Sequence, residues 1–210
     1  MDLSWLEHFN VALIVYFVGT AMPGPGNLSI ANASLNHGRV PGVSMAAGVI
    51  SGSLCWGVIA AAGVSAILLS NAQLFTWLKI LGACYLLWLA YKAVLSALSS
   101  APPQARATAG GGGMGMFYLQ GLGIHLTNPK AILTWLTVTT LGLSGNAPAW
   151  ASVLLVAGCG LLGFCVFMGY ALAFSSHAAG PFFVRTRKPF GLFCAAFYAV
   201  LAVGFIRSLA

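Results

Sequence analysis

The sequence predicts an all-α integral membrane protein: six transmembrane helices, arranged as two inverted three-helix repeats, with helices 1 and 4 broken. Three observations carry this reading. Of the 210 residues, 60% are hydrophobic and only 5% charged, and the mean hydropathy is +0.93. A soluble globular domain carries about 25% charged residues. Six apolar runs each reach the roughly 20 residues that a span needs. Two of these runs, one in each half of the chain, are interrupted by proline beside asparagine.

The runs cover roughly 9–31, 43–69, 75–95, 117–141, 150–174 and 190–209. Connections are short apart from 96–116, whose Ser-Ser-Ala-Pro-Pro and Gly110 to Gly113 content reads as a flexible polar loop. The chain is therefore one membrane domain over 1–210, with repeat one at about 9–95, a cytoplasmic loop at about 96–116 and repeat two at about 117–209. The N-terminus carries Asp2 and Glu7 and has neither a basic stretch nor a small-residue cleavage site. The first apolar segment is expected to stay as a span.

Cations set the orientation. Arg39, Lys92, Arg106, Arg185, Arg187 and Lys188 lie on the side of connections 1–2, 3–4 and 5–6; only Lys79 and Arg207 lie towards the other side. The positive-inside rule then puts both termini on the non-cytoplasmic face. The net charge of +7 comes from cations spread too thinly to form a nucleic-acid surface.

The first break is Met22-Pro23-Gly24-Pro25-Gly26-Asn27. Each proline removes a backbone donor and costs a helix interior roughly 3 kcal/mol. In hydrocarbon the freed groups must be satisfied by protein or by a water-filled cavity, so such a break is expected to line something. The second break is His125-Leu126-Thr127-Asn128-Pro129-Lys130, close to the middle of the fourth span. A lysine at that depth costs roughly 2.5–3.5 kcal/mol on insertion scales. Lys130 is thus expected to face the bundle interior or water, either in a functional or pore-lining role or as a structural cation neutralised by backbone carbonyls. His125 reads either as a hydrogen-bonded packing residue or as a proton carrier.

Elsewhere the apolar segments favour packing over chemistry. Gly48, Gly52, Gly57 and Gly63 of the second span read as close helix contacts of the GxxxG kind. In the third span Tyr85, Trp88 and Lys92 share a face. Trp88, Tyr91 and Lys92 fit an interfacial belt, while Tyr85 lies deeper, in the core or beside a cavity. Gly158-Cys159-Gly160-Leu161-Leu162-Gly163 matches GxGxxG by letter, yet it follows no strand and has no acidic residue downstream, so helix packing is the better account. The five cysteines form no CxxC and read as small buried hydrophobes; no metal or other cofactor is expected. With no carboxylate in any span, no nucleophile–histidine–acid arrangement can be built, and enzyme chemistry is not supported.

The two halves correspond in outline. Each opens on an interrupted helix, and each ends on a span entered by Lys79-Ile-Leu-Gly82 or Lys188-Pro-Phe-Gly191. Three spans per half invert the second half relative to the first, the design of many secondary transporters, whose broken helices mark the substrate site.

The motifs also resemble a known family. Pro23-Gly24-Pro25 with Asn27-Leu28, the Gly38-Arg39 turn before a glycine-rich span, Lys79-Ile-Leu-Gly82-Ala-Cys-Tyr85-Leu-Leu-Trp-Leu, then Phe117, Gly121 and Asn128-Pro129-Lys130-Ala131 are similar in order to the LysE/RhtB family of amino-acid exporters. Gly26 departs from the pattern, where the family commonly has a second asparagine. The resemblance implies an inner-membrane exporter of amino acids or close derivatives, driven by the proton gradient.

On that footing the expected substrate site is Pro23, Gly24, Pro25, Gly26, Asn27, Tyr85, Asn128, Pro129 and Lys130. Lys130 and the N–H groups at a half-helix start would receive the substrate carboxylate. Carbonyls freed by Pro23 and Pro25, with Asn27 and Asn128, would receive the ammonium. A neutral, zwitterionic amino acid suits spans that lack acids. His125, Lys130 and Glu7 are the candidates for proton coupling. The expected partners are the amino acid, protons and the lipid bilayer, and a homo-oligomer is compatible with the reading. The competing functions are a passive small-solute channel and a cation or metal exporter, the latter disfavoured by the missing carboxylates and thiol clusters.

Overall fold

One proline of each break, Pro25 or Pro129, opens a helix. In the computed structural model, which describes residues 5–70, 72–98, 113–143, 147–176 and 179–207, every regular element is an α-helix. Helix α1 (Trp5–Ala21) gives way to α2 (Pro25–His37), and α5 (Met114–Leu126) to α6 (Pro129–Gly142). Pro25 and Pro129 stand at the first position of their helices, where the absent N–H would have had no partner and the fixed φ suits the turn. The first pair is bent by 47° at the break.

The remaining helices are α3 (Arg39–Ser70), α4 (Ala72–Leu98), α7 (Ala151–Ala173) and α8 (Ala179–Arg207). Gly38, at φ 92°, ends α2 in a conformation that disfavours side chains, and its N–H closes on Ser34 O at 3.1 Å. The chain turns straight into α3, as the Gly38-Arg39 pair predicts. Several helices outrun the apolar stretches. Arg39 begins α3, residues 96–98 belong to α4 and residues 114–116 to α5, while Arg185, Arg187 and Lys188 lie within α8 and not in a connection. Backbone hydrogen bonding continues into polar flanks that hydropathy alone trims away. Asp2, Arg106 and most of the proposed loop lie outside the described residues.

Arg39–Gly63 and Ala151–Ala173 are long and apolar enough to cross a bilayer, and α1 with α2 makes a third such unit. Shorter apolar helical stretches run over Ile80–Leu95 and Lys188–Gly204. Large apolar side chains stay exposed on the outward faces, with Val153 at 67%, Leu161 at 66% and Val200 at 72%. Water would penalise so much apolar surface; lipid does not. The molecule is a multi-pass membrane protein.

Inside, Tyr16, Leu86, Trp135, Leu155 and Tyr198 join α1, α4, α6, α7 and α8 in one packed cluster. Ile30, Met45, Val49, Phe117 and Phe167 form a second, between α2, α3, α5 and α7. The glycine-rich stretches hold helices close. A Cβ on Gly48 would fall on the carbonyl oxygen of Tyr118, and one on Gly121 on that of Met45, so α3 and α5 meet backbone to backbone. The GxGxxG look-alike has the same use: a Cβ on Gly160 would lie 2.8 Å from Leu54 and one on Gly163 2.8 Å from the Tyr16 hydroxyl. Gly63 has no such neighbour. Of the cysteines, Cys159 and Cys194 are buried, but Cys55, Cys84 and Cys165 are exposed, contrary to the expectation. A thiol is apolar enough for an outward face of a membrane helix. Trp88 and Tyr91 are exposed, and the Lys92 ammonium lies 5.7 Å from the Trp88 ring, an arrangement that fits the expected belt.

Candidate functional site

Breaking α1 leaves its last carbonyls without helical partners, and other elements supply them. Pro25 has no N–H to offer Ala21, whose carbonyl accepts instead from the Tyr170 hydroxyl of α7 at 2.9 Å. Thr20 O accepts from Asn27 Nδ2 at 2.9 Å. Met22 O accepts from Lys130 Nζ at 2.8 Å, across 108 residues of sequence. Three successive carbonyls are thus held by α2, α7 and α6.

The second break is built differently. Asn128 caps α6, its Oδ1 accepting from Lys130 N at 3.0 Å, and α2 opens at Gly24 with no side-chain cap. The carbonyl of the same Lys130 accepts from the Tyr85 hydroxyl at 2.9 Å, and that hydroxyl also hydrogen-bonds Thr134 Oγ1 at 3.0 Å. Helix α4 thereby clamps the first turns of α6.

A cavity of about 390 Å³, counted out to its mouth, lies between the breaks. Gly24, Gly26 and Asn27 line it from α2, His125 from α5, and Asn128, Lys130, Thr134 and Trp135 from α6 and its cap. Tyr16, Gly19 and Thr20 of α1, Ser53 of α3 and Phe167 of α7 complete the wall. On its floor Ser53 Oγ accepts from Trp135 Nε1 at 3.0 Å and hydrogen-bonds the Tyr16 hydroxyl at 2.9 Å. These groups are buried, so the triangle ties α1, α3 and α6 at the cavity.

Of the residues expected from sequence, Gly24, Gly26, Asn27, Asn128, Lys130 and His125 come together around this space. Pro23, Pro25 and Pro129 shape its edges without lining it. Tyr85 is buried behind α6 and positions Lys130; it does not line the cavity. Glu7 is exposed in the first turn of α1, more than three turns from the break. Lys130 unites the two readings offered for it, since it faces the cavity while a backbone carbonyl holds its ammonium.

Sequence reasoning missed Tyr16, Thr20, Ser53, Trp135, Phe167 and Tyr170. Thr20 carried a usable signal, a hydroxyl inside an apolar run two residues before the break. Phe167 and Tyr170 look like any aromatic residues of a span; only packing brings them here.

Residues 17–209 match the family model described as LysE type translocator. The chain is 31% identical over 212 residues to a leucine efflux protein of Enterobacter sp. (strain 638), covering 100% of this chain and 97% of that protein. It is 29% identical over 203 residues to one of Klebsiella pneumoniae subsp. pneumoniae, covering 94% and 93%, and 29% identical to one of Salmonella typhimurium, covering 93% and 92%. No solved structure matches the chain significantly. The match over nearly the whole length, with both helix breaks inside it, means that the chain belongs to the LysE type translocator family.

Proposed function

We propose that this protein is a secondary transporter that exports neutral, zwitterionic amino acids across the bacterial inner membrane in exchange for protons. The observation that carries the reading is the Lys130 Nζ to Met22 O bond, because it joins the two helix breaks through the central cation. An arriving carboxylate draws the ammonium of Lys130 towards itself. The substrate's own ammonium then takes the vacated carbonyl of Met22, cation replacing cation. The uncapped start of α2 faces the same space, and its positive dipole end favours the carboxylate. A dibasic substrate would find no acid lining the cavity, and the only Asp and Glu of the sequence are Asp2 and Glu7, near the N-terminus.

Six spans in two inverted repeats, with α1 and α2 matching α5 and α6, α3 matching α7 and α4 matching α8, accord with the packing. Helix α3 packs on α5 as α7 packs on α1, and α1 packs on α6 as α5 packs on α2, while α3 meets α7 and α4 meets α8. Both termini then face away from the cytoplasm. Of the residues considered for proton coupling, Lys130 and His125 are the two beside the substrate path.

Transport in proteoliposomes tests the reading. Labelled leucine or a similar neutral amino acid should show saturable counterflow and should move against its gradient when a pH gradient is imposed. Flux without saturation would mean a channel, and pH-independent flux would remove the antiport.

A further inference from the structure

Each helix break is fastened from outside by the same kind of bond. Helix α1 ends at Ala21, and Pro25, four residues on, has no N–H for its carbonyl. The Tyr170 hydroxyl of α7 donates to that carbonyl at 2.9 Å. Helix α5 ends at Leu126, and the N–H four residues on, that of Lys130, donates to Asn128 Oδ1. The Leu126 carbonyl accepts from Trp56 Nε1 of α3 at 3.2 Å. In both breaks, therefore, the last carbonyl of the first half-helix is met by an aromatic donor on another helix. The donors also occupy matching places. Three residues before each, on the same helix face, Ser53 and Phe167 line the cavity. The shift along the sequence that carries Ser53 onto Phe167 carries Trp56 onto Tyr170. Trp56 and Tyr170 are themselves half-buried and do not line it.

We propose that Tyr170 and Trp56 are paired positioning residues that set which membrane face the cavity opens to. On the repeat scheme above, α1 and α7 belong to opposite repeats, as do α5 and α3, so each bond crosses between them. The inversion places the two bonds on opposite sides of the bilayer midplane. A carbonyl at a broken helix has to be met inside hydrocarbon, yet a side-chain donor can release it without unwinding a helix. Opening one bond frees one half-helix end to swing while the other stays fastened. A two-state equilibrium then shifts by the stability lost from one state alone. The inference rests on the exporter with inverted repeats proposed above and adds the bonds that hold its two facing states.

The test reads which face the cavity opens to, without requiring transport. Gly26→Cys puts a thiol in the cavity, where its Cβ would make only ordinary contacts. Inside-out membrane vesicles and spheroplasts carrying the full chain are treated with the membrane-impermeant reagent sulfonatoethyl methanethiosulfonate. Peptide mass spectrometry under non-reducing conditions separates this thiol from the five native ones, and labelling is taken per molecule in the membrane. Tyr170→Phe and Trp56→Phe keep the rings and lose the donors. Each should change the ratio of inner to outer labelling rate by about two- to tenfold, in opposite directions, the effect of one hydrogen bond on such an equilibrium. The double variant should return close to the starting ratio. A bond that only stabilised the fold would lower the amount of protein and leave the ratio unchanged. Unchanged ratios, shifts in the same direction, or labelling from one face alone in every variant would overturn the pairing. Counterflow of labelled leucine by the wild type is measured alongside. Saturable counterflow with unchanged ratios leaves the exporter standing and removes the pair; opposite shifts without counterflow support the pair and count against the exporter.

Discussion

The ammonium of Lys130 donates to the backbone carbonyl of Met22 at 2.8 Å, so the only cation of the fourth apolar run stabilises the break in the first. Each break has what the other lacks. The first exposes carbonyls, and the second holds the charge that meets one of them. A substrate carrying both charges can exchange partners with this pair without leaving either unsatisfied.

Lys130→Met is expected to lower export of a labelled neutral amino acid by at least tenfold while membrane abundance stays near wild type. Losing the ammonium leaves Met22 O unpaired, at about 1–3 kcal/mol. Removing a buried charge from a span recovers about 2.5–3.5 kcal/mol. The two effects roughly cancel in stability, whereas the carboxylate partner is gone. Export assayed beside immunoblotted membranes separates them, and unchanged export would remove Lys130 from the site.

Gly24→Ala should raise KM several-fold with little change in membrane level. Its backbone is extended, at φ −147° and ψ −176°, so alanine fits the chain. The added methyl would stand 3.2 Å from Lys130 Nζ and crowd the position a carboxylate needs. Concentration-dependent counterflow reads the change directly.

Tyr85→Phe should weaken transport modestly, by about three- to tenfold in kcat/KM, through positioning. It removes the hydroxyl that bonds Lys130 O and Thr134 Oγ1, each bond contributing about 1 kcal/mol. A fall in melting temperature of roughly 2–4 °C per kcal/mol should accompany it. A full loss of transport would mean that Tyr85 touches the substrate.

Gly121→Ala should sharply reduce folded protein in the membrane, and Gly123→Ala should not. The first methyl would be driven into the Met45 carbonyl, where α3 and α5 meet at backbone distance; the second meets nothing within 4 Å. Overpacking of this kind costs about 1–3 kcal/mol, and backbone yields less readily than a side chain. Detergent-solubilised yield by fluorescence-detected size exclusion distinguishes the pair.

Much of the site was legible because helix breaking and charge burial are local. Pro23, Pro25 and Pro129 announce the breaks through missing N–H groups, and Lys130 announces itself as a charge within an apolar run. Even so, the sequence does not show that Pro25 and Pro129 also start the next helix, because a breaker and a first-turn residue look alike until the capping geometry is known. The sequence does not show that, beside any substrate contact, Asn27 Nδ2 holds Thr20 O and Asn128 Oδ1 holds Lys130 N. An amide next to a broken helix is drawn first to the backbone groups orphaned beside it.

By itself, then, the sequence determined that this chain belongs in a membrane, where its first and fourth apolar runs break and which of its charges must be sheltered. Those properties follow from the hydration of each residue and from its own backbone. The tertiary structure alone decided that Lys130 meets Met22, that Tyr170 replaces the donor missing at Pro25, and that Ser53 ties Tyr16 to Trp135. These bonds join residues from 37 to 149 positions apart. Only the packing of whole helices, guided by glycines that let backbones touch, brings such distant groups within hydrogen-bonding reach.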